Sequence, residues 1–233
     1  MKPYSSEVLA RLEKEAREII ARYPEGHSRS ALLPLLHLVQ SEDGFVSSNG
    51  VEFCARMLNV TVAEVSAVAT FYTQFKRCPN GEYTVGVCTN SLCAVMGGDE
   101  IWNKVSEHLG IGHEETTEDG KITLEALECN AGCDYAPVVM VNWEFFDNQT
   151  PDSAVELVDN LREGKPVKPT RGPDHVPTFK ENEHLLAGFE DGLADQGPSA
   201  GESTLLGKRV AADKGWGIPE DPGWSAPEAK EGE

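Results

Sequence analysis

Two pairs of cysteines constrain this chain more than any other feature. Cys88 and Cys93 form a C-x4-C pair, Cys129 and Cys133 form a C-x3-C pair, and 35 residues lie between the two pairs. Each pair follows a strand-like run and lies among small and polar residues. The end of the strand can therefore fix the position of the pair, and the loop can orient both of its thiolates in the same direction. The pattern predicts a metal or redox centre around which the domain folds.

Three chemistries fit four thiols at this spacing. Structural zinc sites usually use C-x2-C knuckles, and a redox-active thiol pair is more often C-x-x-C. An iron–sulfur cluster takes four cysteinates, and the C-x4-C spacing occurs in plant-type [2Fe–2S] sites. Two separated pairs suit a two-iron cluster with one pair at each iron, but the spacing leaves a zinc site and a thiol–disulfide site open.

The surroundings of the pairs predict how such a cluster would behave. Backbone N–H groups between the cysteines can donate to sulfur, and a helix expected to begin near Cys93 would point its positive end at the site. Both would raise a reduction potential. A [2Fe–2S] centre with four thiolates is nevertheless dianionic when oxidised, and Glu128, Asp134 and the acidity of the chain oppose a further electron. We therefore expect a low midpoint potential.

Composition excludes several functions. The chain has 39 acidic and 20 basic residues, a net charge of −19, which argues against nucleic acid or an anionic membrane surface as the main partner. It has no apolar run of transmembrane length, and its first residues resemble neither a signal peptide nor a transit peptide, so we expect a cytoplasmic protein with reduced thiols. Because G-x-G-x-x-G and P-loop motifs are absent, the chain is not expected to bind NADH or FMN alone.

Residues 1–78 are predicted to form a small helical bundle. Apolar stripes at helical spacing predict helices at 6–23, 30–42 and 49–58, and a fourth helix opens with a capping box from Thr61 to Glu64. The short connections between them favour packing as a bundle.

Three side chains outside the cysteine pairs are also candidates for function. His37 lies in the apolar run of the second helix, and we expect a buried, hydrogen-bonded histidine rather than a ligand. Cys54 lies on the third helix beside an aromatic residue and is expected to be a buried structural thiol. Cys78 precedes a proline in a turn and is expected to be a bystander.

The hydrophobic period changes to two at residue 82, which marks a second domain at 79–164. The predicted elements are strands at 83–87, 122–126, 137–141 and 144–146, and helices at 94–109 and 151–163. The order β-α-β-β-α predicts a compact α/β domain with helices packed on one small sheet. The predicted fold class is thus α+β, a helical bundle followed by an α/β domain.

Residues 165–233 are predicted to be an extended tail. They hold 8 of the 14 prolines and 10 of the 22 glycines, and no apolar period persists. Such a segment should bury little surface of its own. Large apolar residues such as Phe179, Trp216 and Trp224 are unusual in a solvated tail, so we expect the tail to lie along partner subunits with the two tryptophans as anchors.

The helices together with V-C-T-N-S-L-C and C-N-A-G-C-D-Y-A-P-V-V-M-V-N resemble the thioredoxin-like [2Fe–2S] ferredoxin subunits of respiratory complex I, the NADH–quinone oxidoreductase of bacteria. The resemblance covers about residues 6–164. It implies a thioredoxin-like fold for 82–164. It also implies that one [2Fe–2S] cluster is held by four ligands, which are Cys88, Cys93, Cys129 and Cys133.

The same resemblance implies a role and a setting. The chain would be a one-electron carrier in transfer from NADH to quinone, beside a partner subunit that carries FMN and the NADH site. It would lie in the peripheral arm of a membrane-bound complex, at the inner face of the bacterial plasma membrane. NAD-reducing hydrogenases and NAD-dependent formate dehydrogenases have an equivalent subunit. Typical members end soon after residue 164, and the large iron–sulfur subunit is one expected contact of the extension.

Overall fold

The computed structural model describes residues 3–217. In this part of the chain four α-helices come first, a mixed five-stranded sheet with its own helices follows, and two helices lie beyond residue 165. The predicted α+β class is confirmed. Of these residues, 3–199 form one compact unit and 200–217 belong to a second. The predicted divisions after residues 78 and 164 lie inside the first unit and stay predictions.

The N-terminal helices were correctly predicted. They are α1 (Ser6–Ile20), α2 (Leu32–Asp43), α3 (Ser48–Leu58) and α4 (Val62–Phe71). The expected capping box joins Thr61 and Glu64, and Ser5 and Ser47 cap α1 and α3. One apolar core unites the four, with buried residues that include Leu12, Ile19, Leu35, Leu36, Phe53 and Val65. Helix α1 ends at Ile20, not at residue 23, because the chain tightens into i−3 hydrogen bonds ahead of a proline.

The sheet has the strand order β2-β3-β1-β4-β5. Its strands are β1 (Tyr83–Cys88), β2 (Glu115–Thr116), β3 (Ile122–Leu127), β4 (Val139–Val141) and β5 (Glu144–Phe146). Strands β1 and β3 are parallel with Cys88 opposite Leu127, and the other pairs are antiparallel. The parallel pair ends at one edge of the sheet, and this edge carries the cysteines. The two-residue strand β2 was not predicted.

The helix predicted at 94–109 is wrong as a single helix. It is two helices, α5 (Ser91–Val95) and α6 (Gly98–Leu109), separated at Gly97, whose φ is +111°. Glycine adopts this backbone conformation without the steric cost of a Cβ. Cys93 therefore lies inside the short α5, and the longer α6 begins at Gly98, beside the backbone of Cys88 and Cys93. Helix α6 packs over the sheet with α7 (Pro151–Arg162), which was correctly predicted with its Thr150 cap.

The segment 165–189 does not behave as the predicted tail. Helix α8 (Phe179–Leu186) contacts α2, and Phe179 is 1% exposed. Val176 joins the core of the sheet, and Ala187 joins the core of the helices. The expectation that this segment buries little surface of its own is wrong, because its apolar residues pack on both layers of the same chain.

Within the described part of the second unit, residues 200–217, there is one helix, α9 (Glu202–Asp213), which was not predicted. Trp216 follows it, with the ammonium of Lys214 4.7 Å from its ring centroid. Trp224, the other proposed anchor, lies outside the described residues. Docking of this region on partner subunits stays a prediction. Among the helices of residues 3–217, none has the length and apolar character needed to cross a bilayer.

Candidate metal centre

The carboxyl ends of β1 and β3 bring both cysteine pairs to one edge of the sheet. Cys88 is the last residue of β1, and its N–H donates to the carbonyl of Val138 across the sheet at 3.1 Å. Cys93 lies in α5. Cys129 follows the end of β3, and Cys133 opens a short 3₁₀ turn, Cys133–Tyr135. Parallel strands end side by side, so residues far apart in sequence share this loop cluster.

The thiols lie as two pairs. The Sγ atoms of Cys129 and Cys133 are 3.4 Å apart, and the Cys88 thiol is close enough to that of Cys93 to raise its pKa. The two pairs are close enough to interact electrostatically. Cys133 raises the pKa of Cys93, and Cys88 raises the pKa of Cys133. The structure therefore brings together all four predicted residues. Cys88 and Cys93 are each 3% exposed, whereas Cys129 and Cys133 face solvent.

The environment raises the pKa of two of the thiols, Cys93 and Cys133. Burial raises the pKa of Cys93 to about 11, and the neighbouring Cys88 thiol acts in the same direction. The hydrogen bond with Cys129 is the main cause of a raised pKa at Cys133. A thiolate-binding metal centre must therefore displace these protons as it forms.

Two backbone features shape the loops around the thiols. The N–H of Ala131 donates to Cys129 Sγ at 3.3 Å, and Ala131 has a left-handed φ of +57°, a conformation that costs a non-glycine residue about 1–2 kcal/mol. This is one of the expected N–H donors to sulfur. At Gly98, a Cβ would lie 2.5 Å from the carbonyl oxygen of Cys88 and 2.8 Å from that of Cys93. Only glycine lets α6 approach this closely.

The donor set fits a two-iron cluster. A [2Fe–2S] cluster takes four cysteinates, and the two thiol pairs offer one pair to each iron. Within residues 3–217 no group of three or more His, Cys, Asp or Glu side chains is placed to hold a single ion. A cluster that takes two protein thiolates per iron does not require such a group. The four cysteines would hold it between the two loops.

The other sequence candidates lie away from this centre. His37 is hydrogen-bonded through Nδ1 to Glu183 Oε2 at 2.6 Å, so the expected structural histidine is confirmed. Cys54 is fully buried, as expected, and its burial raises the pKa of the thiol far above its ordinary value. Cys78 is an exposed free thiol.

Sequence reasoning missed the residues of 165–189 that pack near the site. The clearest of them is Arg171, which lies against the second cysteine loop. One local signal was available for the helix of this segment: Thr178 and Glu181 form a capping box, and apolar residues follow it. No local signal marks Arg171, because its contacts are all with residues distant in sequence.

Comparison with known proteins gives concordant results. A sequence model described as thioredoxin-like [2Fe–2S] ferredoxin matches residues 16–162. A subunit of the NADH-quinone oxidoreductase of Mycobacterium tuberculosis (strain ATCC 25618 / H37Rv) is 58% identical over 221 residues, which cover 94% of this chain and 86% of the relative. The mitochondrial NADH dehydrogenase [ubiquinone] flavoprotein 2 of Dictyostelium discoideum is 37% identical over 166 residues, 71% of this chain and 66% of the relative.

Among solved structures, the air-oxidised NAD+-reducing [NiFe]-hydrogenase matches with a TM-score of 0.53 at 18% identity, over 58% of this chain and 23% of that one. This likeness supports the fold alone. The sequence model spans more than half of the chain, and the mycobacterial relative aligns along nearly all of it. On both grounds this chain belongs to the thioredoxin-like [2Fe–2S] ferredoxin family.

Proposed function

We propose that this chain is the [2Fe–2S] electron-carrier subunit of an NADH–quinone oxidoreductase, with Cys88, Cys93, Cys129 and Cys133 as the cluster ligands. The observation that carries the proposal is the meeting of two thiol pairs at the ends of parallel strands in a chain of this family. The extent of the likeness to the mycobacterial NADH-quinone oxidoreductase protein favours this complex over a hydrogenase or a formate dehydrogenase.

The protein would hold and expose the cofactor. A bound [2Fe–2S] cluster supplies one-electron transfer. Buried Cys88 and Cys93 would exclude water on one side of it, whereas Cys129 and Cys133 lie at the surface, where a redox partner can approach. Hydride chemistry would belong to FMN and NADH on a partner subunit.

An apolar surface beside the thiols supports docking of such a partner. Leu92, Val95 and Met96, in and after α5, are 45%, 83% and 57% exposed. Exposed apolar groups clustered next to a redox site are typical of an interaction surface. We place the flavin- and NADH-binding subunit there. The assembly would form the peripheral arm at the inner face of the bacterial plasma membrane, and the region after residue 199 would reach a further subunit such as the large iron–sulfur subunit.

Cofactor analysis of the full-length chain tests the proposal. Anaerobically purified protein is expected to contain iron and acid-labile sulfide in equal amounts and to give a rhombic S = 1/2 EPR signal after reduction with dithionite. Cys129→Ser should abolish or strongly alter the signal. Cys78→Ser is the matched control, since Cys78 is also exposed but lies outside the thiol pairs. Zinc without sulfide or signal would refute the carrier function.

Co-purification tests the assignment to a complex. Tagged chain is expected to bring down an assembly in which a flavoprotein oxidises NADH and quinone is reduced elsewhere in the complex. Recovery of a nickel–iron hydrogenase or a formate dehydrogenase subunit in its place would contradict that assignment and leave the cofactor result untouched.

A further inference from the structure

The segment after α7 returns to the sheet and pairs with its outer strand, β5. Arg171 forms an antiparallel bridge with Phe145 of β5, and the N–H of Thr170 donates to the carbonyl of Phe145 at 2.9 Å. The hydroxyl of Thr170 also bonds Asp147 Oδ2 at 2.9 Å. The pairing covers the open edge of the sheet and fixes the backbone at Arg171.

The side chain of Arg171 is held in a dry, well-defined position. Its guanidinium lies 4.1 Å from the ring centroid of Phe145 and 5.7 Å from that of Tyr135, and it donates to Asp147 Oδ1 at 2.8 Å. The Arg171 side chain is 13% exposed and that of Asp147 is 7% exposed. Within residues 3–217 the buried Nε of Arg171 has no hydrogen-bond partner. A cation placed over aromatic faces and largely desolvated acts more strongly than one in water.

This cation lies directly behind the loop that carries Cys129 and Cys133. A Cβ on Gly132 would be 3.1 Å from Arg171 Nη2 and 3.1 Å from the Phe145 ring. Gly132 is the residue before Cys133, and Tyr135 belongs to the same turn. Since adjacent Cα atoms are about 3.8 Å apart, Nη2 of the guanidinium lies within roughly 11 Å of the Cys133 sulfur.

We propose that Arg171 is a positioning residue for the Cys129–Cys133 loop and that its positive charge raises the reduction potential of the cluster held there. The inference rests on the proposed function. Each electron added to an all-thiolate cluster increases its negative charge, so a fixed neighbouring cation stabilises the reduced form. At about 11 Å and an effective dielectric constant of about 20, a unit charge changes a one-electron equilibrium on the order of tenfold. Asp147, which accepts a hydrogen bond from the same Nη2 atom that faces Gly132, acts in the opposite direction.

A pair of substitutions with opposite expected signs tests this. In the full-length chain with its cluster, Arg171→Gln should lower the midpoint potential by about the equivalent of tenfold in the equilibrium constant, roughly 59 mV for one electron. Asp147→Asn should raise it. Arg171→Lys keeps the charge and should retain most of the wild-type potential. The control is Arg162→Gln, because Arg162 pairs with Asp119 before β3, at the opposite end of that strand from Cys129.

The measurement is an EPR-monitored redox titration, with iron and sulfide content recorded for each variant. A residue that only supports the fold would shift the potential in the same direction in Arg171→Gln and Asp147→Asn, or in neither, and either result overturns the proposal. If Arg171→Gln does not retain the cluster, Asp147→Asn and Arg171→Lys decide: an unchanged potential in the first or a loss of the wild-type value in the second is contrary to it. Absence of any cluster signal in the wild-type chain would instead refute the proposed function.

Discussion

Replacing Gly98 with alanine should damage the metal centre through the backbone. A Cβ at this position would lie 2.5 Å from Cys88 O, 2.8 Å from Cys93 O and 2.9 Å from Cys93 C. All three atoms belong to the main chain, so no side chain can rotate away. The first residue of α6 must therefore move away from the ends of β1 and α5.

The size of the displacement follows from ordinary contact distances. Carbon–oxygen contacts in proteins are seldom closer than about 3.3 Å, so the Cys88 carbonyl and the new methyl must separate by roughly 0.8 Å. Metal–ligand distances tolerate only about 0.2 Å. Because the displaced backbone carries two of the four thiols, we expect the cluster content of Gly98→Ala to fall well below that of the wild type. Overpacking of this kind also costs about 1–3 kcal/mol of unfolding free energy.

The adjacent glycine supplies a matched control. Gly97 has φ +111°, and nothing lies within 4 Å of the position that its Cβ would take. Gly97→Ala should therefore lose stability, roughly 1–3 kcal/mol from backbone strain, without moving either thiol. Both variants are measured by urea unfolding and by iron and sulfide content after anaerobic purification. Similar stability losses with cluster loss confined to Gly98→Ala are expected. Full cluster content in Gly98→Ala, or equal loss in both, would refute the reasoning.

Three further predictions concern packing and charge outside the site. Phe179→Ala should lower the free energy of unfolding, measured with urea, by about 3–5 kcal/mol, because the side chain is only 1% exposed. A loss below about 1 kcal/mol would show that residues 165–189 do not pack as described. Glu183→Ala should lower the free energy of unfolding by about 1–3 kcal/mol, because it leaves a donor on His37 and one on Gln40 unpaired. Glu183→Gln should cause a smaller loss, and equal losses in the two variants would contradict this. A hydrogen bond from Thr117 and the ion pair with Arg162 lower the pKa of Asp119 to about 2. The stabilising contribution of Asp119 is therefore present above about pH 4 and is lost as the pH falls toward about 2. Asp119→Asn should make the urea unfolding midpoint depend less on pH over this window. The same pH dependence in the variant and the wild type would contradict this.

Local patterns were sufficient for most elements of residues 3–164. The four N-terminal helices, three of which have side-chain N-caps, and four of the five strands could be predicted, because apolar periodicity and capping residues act within a few positions of one another. The single helix predicted at 94–109 was wrong partly for a local reason. Gly97 weakens any helix that contains it, but the left-handed turn that breaks this one depends on how closely Gly98 packs against Cys88.

The segment after 165 shows where local reasoning fails. Its proline and glycine content is typical of an unpacked chain, yet Val176 and Ala187 fill gaps in two different cores. Those gaps are created by residues far away in sequence, and no periodicity in the segment records their shape. The same holds for Glu183, whose buried carboxylate is paired with His37 and Gln40 of α2.

The sequence by itself determined the fold class and the two thiol pairs, because cysteine spacing and hydrophobic period are properties of short stretches. The tertiary structure alone decided that the pairs meet, since this depends on the parallel alignment of β1 with β3 across many residues. It alone also decided that Arg171 lies behind Gly132. Contacts between distant segments depend on the shapes of surfaces that exist only after the chain has folded, and the sequence carries no local trace of them.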